Sequence, residues 1–419
     1  MTFSNFFLLS FRILFYTIIH LVITTSIFSE CDVPLLDISE NAEISFLTEK
    51  PETFHGNEPT LSSSTSQSQT ASTSHRKSKL LSQSKNLLWK NKNINVPNNL
   101  IEFSGNTNLS SEIKNLDTPY NFFKLFFTDD ILEHIRVETI RYSVQQTPNK
   151  PLTLTSSELR KYIGICCIMS FVNQANLREY WKPLYGCQLI QDTMLLSTFE
   201  KIKTSLHFND NTKNKSKNDP NYDRLYKIRP IITKLQENLK KIPYEEHLSV
   251  DEQMCATKSR NYLKQYLPNK PHKWGFKLFV LCDTSGFSYN FEVYTGKENN
   301  PDQRFQNEPD LGASANVVVR LCRNVPKHQN YKIFSDNYYT SIDLLVHLAK
   351  QGIHALGTVR PNRVPNKKIR SDKEMNKKDR GTSIEMLTTV EGIDISFIIW
   401  KDTKCVYLLS NYAGEQPLT

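Results

Sequence analysis

Pro243 divides the chain by the spacing of its apolar residues. Before it, apolar side chains recur at three- and four-residue intervals, as in Ile131, Leu132 and Ile135, or Leu159, Tyr162, Ile163 and Cys166. Leu225, Ile228, Ile232, Leu235 and Leu239 continue the same spacing, which places such residues on one face of a helix. After Pro243 the pattern changes to short runs rich in β-branched and aromatic residues: His247 to Met254, Phe276 to Cys282 and Tyr289 to Tyr294. A chain built this way is neither all helical nor all strand. Residues 118–243 read as a helical domain, and a mixed α/β region follows.

Local signals sharpen both halves. Thr128-Asp129-Asp130 can start a helix, Thr155 and Glu158 form a capping box before another, and Met194, Leu195, Phe199 and Ile202 mark a third. In the second half, the turn Asp283-Thr284-Ser285-Gly286 joins two strands as a hairpin. Asn316 to Cys322 and Ser341 to Lys350 read as helices, the latter ended by Gly352, and Tyr331 to Ser335 and His354 to Val359 as strands. The order strand-strand-strand-helix-strand-helix-strand is a mixed α/β layout over residues 244–362. Ile384 to Leu387, Ile395 to Trp400 and Cys405 to Leu409 add strands in residues 363–419.

The amino end lacks such patterns. Residues 1–29 include an apolar stretch, Phe6 to Leu9 and Ile13 to Phe28, interrupted by Arg12 and His20. No basic residue precedes that stretch and no small-x-small cleavage site stands before Cys31. A signal or membrane anchor and an artefact of the start of the reading frame are the two readings. Residues 30–117 carry a Ser/Thr/Gln tract and then a basic, Asn-rich stretch without periodicity, and read as a disordered linker.

Lys and Arg total 52 against 43 acids, a formal charge of +9 that favours a polyanionic partner. None of the eight cysteines falls in a C-x-x-C pair, and no His spacing completes a zinc site. Most lie in apolar runs, such as Ile165-Cys166-Cys167-Ile168, and are expected as buried, reduced thiols.

Two acids occupy chemically useful places. Asp251 lies in the first strand after Pro243, and Asp336 directly follows the strand Tyr331 to Ser335. Sites in α/β sheets gather at the carboxyl ends of strands, where side chains reach out of the core. Two carboxylates held there could ligate Mg²⁺, which prefers oxygen ligands and leaves positions open for phosphates. The alternatives are a helix-capping or turn role for Asp336 and a solvated strand position for Asp251.

Between them, from Gln253 to Cys282, stand Lys258, Arg260, Lys264, Lys270, Lys273 and Lys277, interleaved with Tyr262, Tyr266, Trp274 and Phe276. No acid other than the Asp251-Glu252 pair before the run interrupts it. Lys and Arg neutralise phosphates, and aromatic rings stack on unpaired bases. DNA contact through Lys258, Arg260, Lys264, Lys270 and Lys273 is preferred over an ordinary basic surface, because the run leaves the strand that bears Asp251. A second basic stretch, Lys367 to Arg380, reads as an exposed loop.

Several ordered motifs resemble the piggyBac transposase family. They are Val250-Asp251-Glu252-Gln253-Met254, Gln265 to Pro271, Trp274-Gly275-Phe276-Lys277, Phe291 to Gly296, Ser335 to Ser341, Gly357-Thr358-Val359-Arg360 and Val406 to Ser410. Upstream, Tyr162-Ile163-Gly164 and Leu177 to Trp181 resemble the family's helical dimerisation and DNA-binding region, so the likeness covers about residues 118–419. The resemblance implies a ribonuclease-H-like catalytic core that uses three aspartates and Mg²⁺, with Mn²⁺ as a substitute. It implies hydrolysis at transposon ends and attack of the freed 3′-hydroxyl at TTAA sequences.

By motif, Asp251 and Asp336 correspond to the first two aspartates, and the third belongs to a G-G-V-D-like motif on a later helix. Gly414 to Thr419 falls inside what resembles the inserted β domain before that helix, so the core is expected to be incomplete. The expectation is a double-stranded-DNA-binding protein of transposase ancestry that does not cleave, partnered by itself or by a full-length transposase, in the nucleus. The alternatives are an active transposase whose sequence continues past Thr419, and a membrane-anchored fusion product that uses residues 3–28.

Overall fold

The structure, a computed structural model, describes residues 87–257, 261–296, 304–306, 308–366 and 372–415. The apolar stretch at residues 3–28 and the Ser/Thr/Gln tract lie outside the described residues. No described helix is long and apolar enough to cross a membrane.

Helices dominate as far as Pro243. After the short α1 (Asn98–Ile101) and α2 (Ser111–Lys114) come α3 (Pro119–Phe126), α4 (Asp129–Gln146), α5 (Ser156–Met169), α6 (Gln188–Thr193), α7 (Leu196–Ser205) and α8 (Arg229–Leu239). The capping box forms at α5: Thr155 Oγ1 accepts from Glu158 N–H, and the Glu158 carboxylate accepts from Thr155 N–H. Thr128 takes the N-cap position of α4 without a side-chain cap bond. The spaced apolar residues meet as expected, with Ile131, Leu132, Ile135, Leu159, Tyr162, Phe199 and Ile202 all buried. α8 links the helices to the sheet: Gln236 Nε2 donates to Phe291 O in β4 (2.8 Å), while Asn238 Nδ2 donates to Phe126 O at the end of α3 (2.9 Å).

The strands are β1 (His247–Ala256), β2 (Gln265–Tyr266), β3 (Trp274–Asp283), β4 (Ser288–Val293), β5 (Lys332–Ser335), β6 (His354–Thr358), β7 (Ser383–Val390), β8 (Ile393–Lys401) and β9 (Cys405–Ser410). α9 (Ala313–Leu321) precedes β5, α10 (Ile342–Lys350) crosses from β5 to β6, and α11 (Asp372–Met375) precedes β7. The nine strands form one sheet in the order β2-β3-β1-β5-β6-β9-β8-β7, with β4 also on β3. β4, β3 and β1 are antiparallel neighbours, whereas β1, β5 and β6 run parallel. Parallel neighbours require a crossover, which α10 supplies between β5 and β6. An antiparallel meander continued by parallel strands is the ribonuclease-H-like arrangement.

Two features bear on the domain expectations. The strands of residues 383–410, expected as the start of an inserted β domain, extend the same sheet, because β9 pairs with β6 from Leu356↔Ser410 to Thr358↔Leu408. Residues 87–117, expected within a disordered linker, form an ordered strap along that sheet. Lys90 exchanges backbone hydrogen bonds with Leu387, Trp89 Nε1 donates to Pro365 O (2.9 Å), and Ile94 N–H donates to the buried Glu385 (2.8 Å). Farther on, Asn330 Nδ2 donates to Glu102 O (2.7 Å), and the Phe103 and Tyr331 rings meet edge to face at 4.9 Å. The strap is held residue by residue, by backbone bonds and single side-chain contacts, so it needs no apolar periodicity.

None of the seven described cysteines forms a disulfide with another described cysteine. Burial pushes the Cys167 thiol up to about 11 and those of Cys255 and Cys322 to about 12, which makes them inert packing groups.

Candidate metal and nucleic-acid site

The β1–β5 register places the two aspartates. Their last parallel pair is Val250↔Ser335, so Asp251 and Asp336 are the next residues on adjacent parallel strands. Alternation turns Asp251 away from the face that Val250 occupies, and Asp336 is the first residue past the end of β5. Each carboxylate is exposed and engages only a local amide: Asp251 Oδ1 accepts from Glu252 N–H (2.7 Å) and Asp336 Oδ1 from Tyr338 N–H (2.8 Å). Neither makes an ion pair among the described residues. Asp336 does not cap α10, because Ser341 does, accepting from Leu344 N–H.

The turn that carries Asp336 is tied down from several sides. Thr340 Oγ1 donates to Asp336 O (2.8 Å), and Arg363 Nη1 donates to the carbonyls of Tyr338 (2.8 Å) and Thr340 (3.1 Å). Arg360 Nε donates to Asn337 Oδ1 (3.0 Å). Gly357 makes the close approach of β6 possible: a Cβ there would meet Thr340 Oγ1 at 2.3 Å and Ser335 O at 2.4 Å. From β3, the Lys277 ammonium lies 4.8 Å from the Tyr338 ring centroid, 4.7 Å from that of Phe279 and 5.7 Å from that of Tyr294. Three aromatic rings thus hold a cation against the Asp336 turn.

Tyr339 is fully buried, and its hydroxyl has no hydrogen-bond partner among the described residues. Burial first, then the nearby Glu252, Asp251 and Asp336, push this phenol far above its usual range, so it remains neutral. Such a hydroxyl near the Asp251 and Asp336 carboxylates suits a hydrated divalent cation, whose waters could reach it. The two adjacent carboxylates are oxygen donors of the kind that hard divalent cations take. Among the described residues no group of three or more His, Cys, Asp or Glu forms a metal cluster. The sequence reading did not assign roles to Tyr339, Tyr338, Lys277, Arg360 or Arg363. Lys277 was visible in the basic run, whereas nothing in the pattern distinguishes Tyr339 from an ordinary core aromatic.

The basic segment separates into parts. Lys258 and Arg260 lie outside the described residues. Lys264 stands 5.1 Å from the Trp274 ring centroid, and Lys273 is exposed, with no side-chain partner among the described residues. Lys270 is already engaged: its ammonium donates to Glu252 O (3.2 Å) and lies 3.7 Å from the Glu252 carboxylate.

A family profile described as Transposase IS4, of the DDE type, matches residues 118–418. The chain belongs to the piggyBac-type transposase family. It is 30% identical over 308 residues to human piggyBac transposable element-derived protein 3, covering 72% of this chain and 49% of that protein. To human piggyBac transposable element-derived protein 2 it is 31% identical over 307 residues, covering 72% and 49%. The chain thus spans about half the length of these relatives. A piggyBac transposase solved by cryo-EM in a synaptic complex with hairpin DNA matches with a TM-score of 0.59 and 22% identity, over 74% of this chain and 64% of that one. That likeness shows the shared piggyBac fold.

Proposed function

We propose that this piggyBac-type chain binds double-stranded DNA and presents Asp251 and Asp336 as two ligands for Mg²⁺. The observation that carries the reading is the register of β1 and β5, which sets two exposed, cation-free carboxylates side by side. When bound, the metal would polarise a phosphodiester and stabilise its attacking and leaving oxygens. Asp251 and Asp336 would hold it, the anchored 336–340 turn would fix the second carboxylate, and the basic segment would hold the DNA backbone. The solved relative is a DNA complex, which supports a DNA partner here. A nuclear location, self-association and action at TTAA sequences belong to the same reading.

Two carboxylates alone make a weak site, and strand cleavage is expected to need a third carboxylate beyond the described residues. Calorimetry and Mn²⁺ relaxation on the 419-residue chain test the assignment. Weak binding that disappears in the Asp251→Asn/Asp336→Asn double variant supports it. Equal binding by that variant would mean the ligands lie elsewhere. Strand cleavage of a DNA bearing matched transposon ends by this chain, abolished by Asp336→Asn, would refute the expectation that a further acid is needed.

A further inference from the structure

We infer that Tyr266 and Trp274 form a stacking platform for an unpaired nucleobase, at a fixed distance from the carboxylate pair. The inference rests on the DNA-binding reading and adds the state of the DNA that the chain prefers.

The two residues face each other across β2 and β3, with ring centroids 4.7 Å apart and planes inclined by 43°. Tyr266 is 49% exposed and Trp274 53%, so both rings keep open surface despite their mutual contact. Gly275 allows this close three-strand junction, since a Cβ there would meet Cys255 O at 2.4 Å. Lys264 lies over Trp274, and Lys273 is exposed beside it. The stretch from Met254 to Cys282 contains six basic residues and no acid, a charge pattern that selects a polyanion over a second copy of a basic chain.

Strand geometry places the platform relative to the acids. β1 and β3 pair without a register break from Leu248↔Asp283 to Ala256↔Gly275, and Thr257 N–H donates to Trp274 O (3.3 Å). Counting by twos, Asp251, Gln253, Cys255 and Thr257 share a face with Val280, Leu278, Phe276 and Trp274. Trp274 therefore leaves the same face as Asp251, about 20 Å away along the strand at ~3.3 Å per residue. At ~3.4 Å per stacked nucleotide this corresponds to roughly six nucleotides. Bases inside a duplex present no free face, whereas an unpaired base does, and aromatic platforms bind it with little regard to sequence. A DNA end that reaches the acids can thus rest an unpaired base on Tyr266 and Trp274.

The test is fluorescence anisotropy on the full chain with three labelled DNAs of one sequence: a blunt duplex, the duplex with a short thymidine overhang, and the duplex with an abasic overhang. The expected result is an affinity for the thymidine overhang on the order of tenfold above the other two. Trp274→Leu and Tyr266→Leu should remove that preference while leaving blunt-duplex affinity and its salt dependence intact, and Trp274→Phe should retain it. Equal affinity of the wild-type chain for all three DNAs overturns the platform and leaves the DNA-binding reading standing. So does an abasic overhang that binds as well as thymidine, or concentration-dependent self-association that these variants abolish. No binding to any of the three overturns the DNA-binding reading and the platform together.

Discussion

Tyr339 has a hydroxyl buried beside Glu252, Asp251 and Asp336 with no hydrogen-bond partner among the described residues. Leaving such a group unsatisfied costs roughly 1–3 kcal/mol, so Tyr339→Phe should stabilise the protein by about 1 kcal/mol when no divalent metal is added. If waters around a bound cation reach that hydroxyl, millimolar Mg²⁺ should narrow the difference between the two proteins. Thermal melts with and without Mg²⁺ read this, and a Phe variant less stable than the wild type without metal would show that the hydroxyl already has a partner. His207 supplies a second residue-level expectation. Burial, then Lys227, lower its pKa from 6.5 to about 4, and its ring stacks on Tyr142 with centroids 3.5 Å apart. The unfolded chain takes up this proton near pH 6.5 and the folded chain only near 4, so acidification between those values favours unfolding. Stability should fall across that window and level off below it, and His207→Gln should flatten the dependence in urea titrations.

At the scale of elements, the segments legible in the sequence are those with a repeating buried face. α5 follows from its capping box and from Leu159, Tyr162, Ile163 and Cys166, and β1, β3 and β4 follow from their apolar runs. β2 is two residues long and exists only because Gln265 and Tyr266 pair with β3, so no pattern within it could reveal it. The strap was illegible for a related reason. Leu87, Trp89, Phe103 and Ile113 dock one at a time, and backbone bonds to Leu387, Glu385 and Gln329 hold the chain between them. In the site, the positions of Asp251 within a strand and of Asp336 directly after one were readable, whereas their adjacency depends on the parallel β1–β5 register. That register is a long-range choice which local patterning leaves open. The strap can be tested as an element. Trp89→Ala removes its contact with Phe397, 5.7 Å between centroids, and its bond to Pro365. A half-buried tryptophan of this kind should contribute roughly 2 kcal/mol, below the range of about 3–5 kcal/mol for Trp→Ala in cores. Hydrogen exchange at Leu387 should accelerate, and exchange unchanged there would mean that the strap is not anchored through Trp89.

Across the whole molecule, a formal charge of +9 attracts DNA, but attraction spread over a surface does not locate a binding face. Salt dependence does, because each phosphate contact releases counterions and contributes about 0.9 to the slope of log K against log salt on duplex DNA. The lysines of the basic segment are not equivalent in this respect. Lys273 is exposed with no ion pair among the described residues, and Lys264 rests on an aromatic ring, so each can give its full charge to a phosphate. Lys270 is held by Glu252, whose carboxylate already compensates part of its charge, and must leave that contact to reach DNA. Substituting Lys264 or Lys273 by Gln should therefore lower the slope by close to one contact each, and both together by about twice that. Lys270→Gln should change the slope by clearly less, and Glu252→Gln should raise affinity slightly by freeing Lys270. Affinity measured from low to moderate salt for these variants separates a binding face from diffuse attraction. If all substitutions, including one at a distant exposed lysine such as Lys404, shift the slope equally, the charge acts as a uniform field and the β2–β3 edge is not the DNA-binding face. If Lys264 and Lys273 alone carry the effect, the DNA backbone lies along the edge that also carries Tyr266 and Trp274, leading toward Asp251 and Asp336.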